Sequence, residues 1–415
     1  YKGDVGLDIN CIMANYDLPF SFPEDVVKAS QHINTTITDD PKRWDLRDVP
    51  MVTIDGEDAK DLDDAVSGRK LDNGNYELGV HIADVSHYVV SQKAIDREAY
   101  KRGTSVYLVD RVIPMLPEVL SNGICSLNAG EDRYAMTCMM EIDTQGKVVN
   151  YRIQPSIIHV NRRCSYKEIY KALTEDIIPD DLAPLMPMIH NLSYIAKTLN
   201  DMRRRRGALD FDFPEYKVLL DTEGTPLRIV RRDRTLAERL IEECMLIANE
   251  TVATHLKNTN RTSVYRIHET PSEEKMSMYQ KVLNYLGQDI RLHLDELEPR
   301  VFQHILDAVK GTDIEQVAQI MTLRSMQQAK YSIDNAGHFG LASKCYTHFT
   351  SPIRRYPDLM VHRLLKADMG WPDGYAHRDT KTEFLERAAV HSSEREQVAV
   401  AAERDTVNMR KTAPK

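Results

Sequence analysis

The sequence predicts an α+β fold, with a twisted, mainly antiparallel β-sheet core flanked by many helices. Residues 50–160 show the alternation of apolar and polar positions that is typical of half-buried strands. From about residue 165 onwards the apolar positions follow the period of a helix. Strand and helix patterns do not alternate along the chain, which argues against a doubly wound parallel sheet.

The first part of the chain carries few pattern signals. Residues 1–45 contain one short helical stretch at 22–33, and we expect them to be a linker or N-terminal extension that packs on the main body. No Gly-, Ser- or Pro-rich linker divides the remainder, so residues 46–410 are expected to form one domain.

The β region begins with an apolar run at 51–54. Asp-Asn-Gly at 72–74 is a hairpin signal, and the alternation after it, at 76–83, predicts a strand with one buried face. A second hairpin is expected around 144–146. Prolines and an Asn-Gly pair between 114 and 123 predict a long ordered loop between the two hairpins.

The helical region is interrupted by one short β segment, at 217–220 and 227–230. Helices are predicted at 180–206, 236–256, 272–286, 300–310, 314–330, 356–369 and 381–409.

The composition, 42% hydrophobic and 28% charged, is that of an ordinary globular protein. No apolar run reaches the roughly 18 residues of a membrane span and no signal peptide opens the chain, so no membrane contact is expected. Six scattered cysteines without a Cys-x-x-Cys pair argue against a zinc site and favour free thiols in a reducing cytoplasm. The chain starts at Tyr1 and stops just after a helical pattern, and we expect it to be a fragment of a longer protein.

The net charge of −9 is unusual for a nucleic-acid-binding protein, because phosphate contacts normally require a basic surface. Basic residues are nevertheless clustered, at 203–206 and at Arg228, Arg231, Arg232 and Arg234. Each cluster taken alone is more typical of a solvated face than of an RNA contact.

The most unusual stretch is DGEDAKDLDD (55–64), which carries six carboxylates and a single lysine. Two such charges about 4 Å apart repel by about 4 kcal/mol at an effective dielectric constant of about 20. A folded protein keeps several of them together by protonating some, by exposing them to water, or by binding cations. Mg²⁺ prefers oxygen ligands and usually keeps waters or substrate phosphates in its shell. The stretch therefore predicts a Mg²⁺ site for phosphate chemistry.

A solvated acidic loop is the alternative interpretation, and for an Asp-rich loop considered alone it is the commoner one. Asp63 and Asp64 lie between apolar residues, which favours burial, and buried carboxylates need partners. A calcium-binding EF-hand loop is excluded, because Val66 occupies the position where such a loop needs glycine.

Several ordered runs resemble the catalytic, or RNB, domain of the ribonuclease II/ribonuclease R family. They are TIDGEDAKDLDDA (53–65), HIADVS (81–86), IPMLP (113–117), GHFGL (337–341) and YTHFTSPIRRYPD (346–358). The similarity extends from about residue 45 to 410 and is closer to the bacterial ribonuclease R branch than to ribonuclease II. It implies an RNB-type fold. The family also carries flanking OB-type RNA-binding domains, cold-shock and S1, which we expect in the full-length protein.

The resemblance implies a processive 3′-to-5′ exoribonuclease that hydrolyses single-stranded RNA to nucleoside 5′-monophosphates in RNA decay and turnover. It further implies Mg²⁺ as the cofactor, with Mn²⁺ as an expected substitute. We expect a monomeric, cytoplasmic enzyme whose partner is single-stranded RNA.

Matched residue by residue, the catalytic and metal-binding positions are Asp55, Asp61, Asp63 and Asp64, with Arg354 clamping the scissile phosphate. Two Mg²⁺ ions about 3.5–4 Å apart can activate a water and stabilise the leaving oxygen. Asp55 and Asp64 are the expected direct ligands. Asp61 and Asp63 complete the shell or orient the water, and which carboxylate bridges the ions is left open.

The resemblance assigns five residues to RNA binding. Tyr107 and Phe211 sandwich the terminal bases, and such stacking is worth about 1–3 kcal/mol per base. Tyr166, in the short motif RCSY, helps to set the length of the last undigested fragment. Glu242 and Glu403 hold the 3′-terminal nucleotide through its ribose hydroxyls, which lets the site distinguish RNA from DNA.

The residues alone leave simpler interpretations open. From composition alone, core positions are the favoured interpretation of Tyr107 and Phe211. Glu242 and Glu403 taken alone are ordinary surface positions on helices. Arg354 is compatible with a structural ion pair to Asp358, one helical turn further on. The histidines near these motifs lack neighbours at metal-ligand spacing and are expected to be structural or phosphate-adjacent: His268, His338, His348 and His362.

Three classes of function therefore compete: a Mg²⁺-dependent exoribonuclease, a family member that binds RNA without cleaving it, and an acidic interaction or Ca²⁺-buffering module. The presence of all four aspartates together with Arg354 favours the enzyme.

Overall fold

A computed structural model describes residues 7–210, 215–220, 226–232, 234–287, 292, 297–372 and 375–412. The strands within these ranges are β1 (Trp44–Leu46), β2 (Val52–Asp55), β3 (Asp64–Lys70), β4 (Tyr76–Ala83), β5 (Val106–Tyr107), β6 (Val112–Ile113), β7 (Asp132–Ile142), β8 (Val148–His159), β9 (Arg162–Ser165), β10 (Glu215–Leu220), β11 (Pro226–Arg232), β12 (Tyr265–Ile267) and β13 (Lys330–Ser332).

The helices are α1 (Leu7–Asn15), α2 (Glu24–Gln31), α3 (Val85–Tyr88), α4 (Ala94–Arg102), α5 (Tyr166–Thr174), α6 (Met186–Arg206), α7 (Leu236–Asn258), α8 (Glu273–Tyr285), α9 (Pro299–Val309), α10 (Glu315–Ser325), α11 (Tyr356–Asp368) and α12 (Thr382–Thr412). Short helical turns lie at Val119–Ile124, Ala183–Leu185 and His377–Thr380. None of the helices in the described ranges is both long enough and apolar enough to cross a bilayer.

Seven of the described strands form one mixed sheet in the order β1-β8-β7-β4-β3-β2-β9. The four inner pairings are antiparallel, whereas the edge strands β1 and β9 run parallel to their neighbours. Both predicted hairpins are present, and each turns on a glycine with positive φ, Gly74 at 87° and Gly146 at 86°. The predicted α+β class with a mainly antiparallel sheet is confirmed.

Strand β4 differs from the prediction of a single buried face. Leu78, Val80 and Ile82 are fully buried, as the alternation predicts, but His81 on the opposite face is fully buried as well. Its ring nitrogens lie 2.9 Å from Ser67 Oγ and 2.8 Å from Thr137 Oγ1. The sheet is therefore covered on both faces at this point, and polar partners from neighbouring strands make burial of the imidazole possible.

The long helices α6 and α7 pack against each other and against the sheet, on β3, β4 and β8. Local sequence determines where the helices of this region begin. Ser165 caps α5 and Thr235 caps α7, and in both cases a glutamate three residues later, Glu168 or Glu238, completes a capping box. These caps satisfy the free N–H groups of the first helical turn.

The N-terminal segment contains α1, which the sequence patterns do not predict, and α2, which they do. Ile9 and Met13 of α1 are buried in a small cluster with Val106 and Ala402. The Tyr16 hydroxyl donates a 2.6 Å hydrogen bond to a carboxylate at the far end of the chain, on α12. The segment therefore contacts both the short strands β5 and β6 and the C-terminal helix α12.

Two further elements differ from the predictions. The helix expected at 314–330 ends at Ser325, and Lys330–Ser332 instead forms strand β13, paired with Tyr265–Ile267. No Gly or Pro in the sequence marks the end of this helix. The strand that follows it depends on pairing with residues more than 60 positions away. The long region between the hairpins is not a loop throughout, since it contains α4 and the helical turn at Val119–Ile124.

A buried ion triad connects α11 to the sheet. Lys366 Nζ lies 2.7 Å and 3.0 Å from the two carboxylate oxygens of Asp84, and Arg43 Nη2 lies 2.8 Å from one of them. All three side chains are almost completely excluded from solvent. Burial opposes ionisation of Asp84, but the charges of Lys366 and Arg43 outweigh it and lower the pKa of this carboxyl. Helix α11 is thereby fixed to β4.

We expect Lys366→Met to lower the free energy of unfolding by about 1–3 kcal/mol, because the buried Asp84 carboxylate loses the hydrogen bonds from Lys366 Nζ while Arg43 still neutralises its charge. Urea denaturation followed by circular dichroism measures this. Lys28→Ala, which removes an exposed ion pair with Glu24, is the control and should leave the unfolding free energy unchanged. A loss below about 1 kcal/mol for Lys366→Met would contradict the role given to the triad.

Candidate active site

The acidic stretch lies at one end of the mixed sheet. Strand β2 ends at Asp55 and its antiparallel neighbour β3 begins at Asp64, so the sheet delivers both carboxylates to the same end. Asp61 and Asp63 lie on the loop between these strands. The Asp63 main-chain carbonyl accepts a 2.8 Å hydrogen bond from Ala83 N, which holds the end of this loop against β4.

The loop before α11 brings Arg354 to the same end of the sheet. Ser351 N donates a 2.8 Å hydrogen bond to Asp358 Oδ1 in the first turn of α11. Ile353 N donates directly to Asp63 Oδ1 at 2.9 Å. Two segments almost 300 residues apart in sequence are therefore joined within the site by a hydrogen bond from a main-chain N–H to a carboxylate.

These segments line a cavity of about 540 Å³. Eight of the ten residues predicted for the site contribute to its walls: Asp55, Asp61, Asp63, Asp64, Tyr107, Tyr166, Glu242 and Arg354. Of the other two, Glu403 contacts Tyr107, and Phe211 lies outside the described residues. An adjoining cavity of about 790 Å³ shares Asp61, Tyr107 and Tyr166 with the first.

Asp55 and Asp64 are electrostatically strained. Burial, followed by the charge of Asp64, raises the pKa of Asp55 to about 8. Burial also raises the pKa of Asp64 to about 6, against the opposing charge of Arg354. The Oδ2 atoms of both aspartates are buried without a hydrogen-bond partner among the described residues. Since buried polar atoms are nearly always paired, these two oxygens could hold a cation.

Asp63 is buried beside Arg354. Burial raises its pKa well above the usual range, while Arg354 and the Ile353 N–H act in the opposite direction. Arg354 Nε lies 3.8 Å from Asp63 Oδ2, and Arg354 Nη2 donates to Ser351 Oγ at 3.0 Å. The Arg354 side chain remains 43% exposed and lines the cavity, so its guanidinium is oriented by Asp63 and Ser351 without being enclosed by them.

The ion pair with Asp358, which was the alternative interpretation of Arg354, is formed instead by the next residue, Arg355. Arg355 Nη2 and Nε lie 2.8 Å and 2.9 Å from the two oxygens of Asp358, whose side chain is fully buried. The two adjacent arginines therefore differ in role, because Arg355 neutralises a buried carboxylate and Arg354 points to the acidic cluster.

Tyr107 stands at the boundary between the two cavities and is 39% exposed. Its hydroxyl donates to Asp61 Oδ2 at 3.2 Å, and its main-chain N–H donates to Glu403 Oε1 at 3.0 Å. Burial raises the pKa of Glu403, with the Tyr107 N–H acting against it. Tyr107 is thus a partly exposed aromatic in the site, which excludes the core interpretation for this residue.

Tyr166 and Glu242 approach the cavity from two helices. Tyr166 is the first residue of α5, directly after the Ser165 cap. Glu242, on α7, accepts a 3.0 Å hydrogen bond from Arg234 Nη1, and burial raises the pKa of Glu242. Glu242 therefore belongs to the cavity wall and not to an outer helix surface.

Three arginines of the two basic clusters form ion pairs within the protein. Arg203 is buried against Glu243 at 2.6 Å, and Arg206 pairs with Glu250 at 2.7 Å. Arg234 donates to Glu242, as described above. The Arg231 and Arg232 side chains lie outside the described residues.

The four histidines are bound to protein groups. Tyr331 OH lies 2.8 Å from His348 Nδ1, and the Phe349 carbonyl lies 2.8 Å from His362 Nε2. Burial lowers the pKa of His338 to about 3 and of His362 to about 4, so both imidazoles are neutral. Among the described residues, no three His, Cys, Asp or Glu side chains already converge as ligands of a single metal ion.

Sequence reasoning did not single out two serines that shape the site. Ser351 orients Arg354, and its place within the run at 346–358 could have pointed to it. Ser126 is fully buried, donates from Oγ to the Lys60 carbonyl at 2.8 Å and accepts from Leu62 N at 3.0 Å. No local pattern marks Ser126, because its partners lie more than 60 residues away.

The fold and this site define an α+β domain with an acidic cavity at one end of a mixed sheet. The sequence profile of the RNB domain matches residues 43–369. The chain therefore belongs to the RNB domain family, which confirms the resemblance.

Relatives in this family are similar over almost the whole chain. Ribonuclease R 1 of Lactococcus lactis subsp. lactis is 45% identical over 412 residues, which cover 98% of this chain and 50% of the relative. Ribonuclease R of Thermotoga maritima is 46% identical over 417 residues, covering 98% and 58%. The chain thus spans between half and three fifths of the length of these relatives.

Among solved structures, Mycoplasma genitalium RNase R in complex with ribose methylated single-stranded RNA superimposes with a TM-score of 0.93. It is 32% identical, and the match covers 99% of this chain and 64% of that one.

The two arginines should respond differently to truncation. Arg355→Ala leaves the Asp358 carboxylate buried and unpaired and should lower the free energy of unfolding by about 3–5 kcal/mol. Arg354→Ala should cost at most about 1 kcal/mol, because that side chain is partly exposed and its Nε lies 3.8 Å from Asp63 Oδ2, while Asp63 keeps its hydrogen bond from Ile353 N. Equal losses for both variants in urea denaturation would contradict this division of roles.

Proposed function

We propose that this chain carries the catalytic domain of a processive 3′-to-5′ exoribonuclease that hydrolyses single-stranded RNA to nucleoside 5′-monophosphates. One observation carries the proposal: the Oδ2 atoms of Asp55 and Asp64 are buried without a hydrogen-bond partner among the described residues, in a cavity that Arg354 also lines. The relatives named Ribonuclease R, and the related RNase R solved with single-stranded RNA, support RNA as the substrate class.

The residues present fit Mg²⁺, with Mn²⁺ as a substitute, and we include this cofactor in the proposal. Asp55 and Asp64 would hold it through their unpartnered oxygens, with Asp61 and Asp63 nearby. Mg²⁺ is usually bound by one or two carboxylates plus waters and substrate phosphates, which suits a site without a preassembled set of three ligands. When bound, it lowers the pKa of a water and neutralises phosphate charge.

Arg354 would bind the scissile phosphate. Its guanidinium is held by Asp63 and Ser351 at one side and is open to the cavity at the other. A planar guanidinium can donate two parallel hydrogen bonds to phosphate oxygens, and such preorganised donors stabilise charge that develops in the transition state.

The remaining cavity residues would position the end of the RNA chain. Tyr107 offers an exposed ring for base stacking, with Tyr166 on the same two cavities. Glu242 and Glu403 carry carboxylates that can accept hydrogen bonds from ribose hydroxyls, and this would favour RNA over DNA. Phe211 remains part of the proposal through the family resemblance alone.

We further propose that the enzyme acts in RNA decay, as a monomer in the cytoplasm, with flanking RNA-binding domains in the full-length protein. The six free cysteines fit a reducing compartment.

The test is an incubation of 5′-labelled single-stranded RNA, and of matched DNA, with Mg²⁺ or with EDTA. We expect only RNA with Mg²⁺ to be shortened, as a ladder retreating from the 3′ end. Asp64→Asn should reduce the rate by about 100-fold or more, because a cation ligand worth several kcal/mol is removed, and RNA affinity should stay near the wild-type value.

Glu57→Gln is the matched control for Asp64→Asn, because Glu57 is an exposed acid of the same loop. It should cleave at the wild-type rate. Internal cuts, cleavage in EDTA, or wild-type turnover of Asp64→Asn would each contradict the proposal. A gel shift of intact RNA by the wild-type protein would instead favour the binding-only family member.

Tyr107 allows stacking and hydrogen bonding to be separated. Tyr107→Phe retains the ring and should bind short RNA oligonucleotides like the wild type, whereas Tyr107→Ala should lose about 1–3 kcal/mol of binding free energy. Fluorescence anisotropy in EDTA measures this without cleavage. Tyr285→Ala, at an almost fully exposed tyrosine of α8, is the control. Wild-type affinity of Tyr107→Ala would exclude base stacking on this ring.

A further inference from the structure

The loop that joins β2 to β3 has no regular secondary structure, although it carries two of the site aspartates. Its second half is fixed to the protein interior by Ser126, through Lys60 and Leu62 as described above. Leu127 N adds a 3.0 Å hydrogen bond to the Leu62 carbonyl. The first half of the loop, residues 56–59, is anchored by a different side chain.

Arg163 supplies this anchor. Its Nη2 atom lies 3.2 Å from the Gly56 carbonyl, 3.2 Å from the Glu57 carbonyl and 2.6 Å from the Ala59 carbonyl. The Nη2 nitrogen carries two hydrogens, so at least two of the three carbonyls share one hydrogen. The single turn at residues 56–59 is thus gathered around one charged nitrogen.

The sheet explains why Arg163 reaches this loop. Strand β9 runs parallel to β2, with Arg163 paired to Thr53 and Ser165 paired to Asp55. Arg163 therefore stands beside the strand that delivers Asp55, two residues before that strand ends. From this position its side chain extends over the start of the loop.

The neighbouring arginine shows that this arrangement is particular to Arg163. Arg162 pairs with the carboxylates of Glu168 and Asp181, at 3.0 Å and 2.7 Å, on the outer side of β9. Arg163 instead donates to main-chain carbonyls in the most acidic part of the sequence. It can thereby restrain the loop while the carboxylate of Asp61 remains available to the cavity and to Tyr107.

We propose that Arg163 is a positioning residue for the reaction: it restrains residues 56–59 so that Asp55 and Asp61 face the cavity together. This inference rests on the proposed function. Arg163 does not line the cavity that holds the acidic cluster, so its removal should affect turnover and not RNA binding. Residues that orient metal-binding side chains typically change activity or metal affinity by about 10- to 100-fold when they are replaced.

The test compares Arg163→Ala, Arg163→Lys and, as the matched control, Arg162→Ala. For single-stranded RNA we expect Arg163→Ala to lower kcat by about 10- to 100-fold and to raise the Mg²⁺ concentration for half-maximal rate, with KM unchanged. Arg163→Lys should recover part of kcat, because an ammonium can still donate to one or two of the carbonyls. Arg162→Ala should keep the wild-type kcat.

Hydrogen exchange provides a readout that does not depend on activity. In Arg163→Ala, amides of residues 57–61 should exchange faster than in the wild type, while those of β7 should be unchanged. Faster exchange throughout the sheet would indicate general destabilisation and overturn the inference, as would a wild-type kcat or a change in KM alone.

The two proposals fail in distinguishable ways. If the wild-type protein does not cleave RNA, the proposed function and this inference are both rejected. If the wild type cleaves RNA and Arg163→Ala cleaves it equally well, only the positioning role is rejected.

Discussion

The structure depends on the close approach of two carboxyls, Asp55 and Asp64, at the end of the sheet, where the charges of Arg354 and Arg163 only partly offset the effect of burial. Burial raises the pKa of each carboxyl, and the charge of Asp64 raises that of Asp55 further. The strands β2 and β3 nevertheless force the two groups together, and the Oδ2 atoms find no partner in the described part of the chain. The surrounding structure maintains this unfavourable arrangement, which suits the cation and phosphate of the proposed function.

That support is built from buried ion pairs around α11. Lys366 with Asp84 fixes α11 to the sheet, and Arg355 with Asp358 closes the first turn of α11. With these charges satisfied, Arg354 remains partly exposed beside Asp63. The overall negative charge of the chain is thus compatible with the proposed RNA substrate, because Arg354 places a positive charge at the cavity itself. This fits the engagement of the Arg203 and Arg206 side chains in internal pairs.

The sequence alone predicted what depends on local pattern or on long motifs. The α+β class, both hairpins, most helices and the convergence of Asp55, Asp64 and Arg354 belong to this group. The end of α10 at Ser325 could not be predicted, because it depends on pairing with a distant strand. The burial of His81 depends on partners from two other strands. The pairing of Asp358 with Arg355 was not predicted, since spacing along the chain does not show which of two adjacent arginines points inward.

The most direct measurement is thermal unfolding of the wild type and of Asp64→Asn, each with and without Mn²⁺. If the buried carboxylate pair is strained when empty, Asp64→Asn should raise the Tm in EDTA, because it removes one of two repelling groups. Mn²⁺ should raise the Tm of the wild type and have little effect on the variant. A lower Tm for the variant in EDTA, together with an equal response of both proteins to Mn²⁺, would contradict the account.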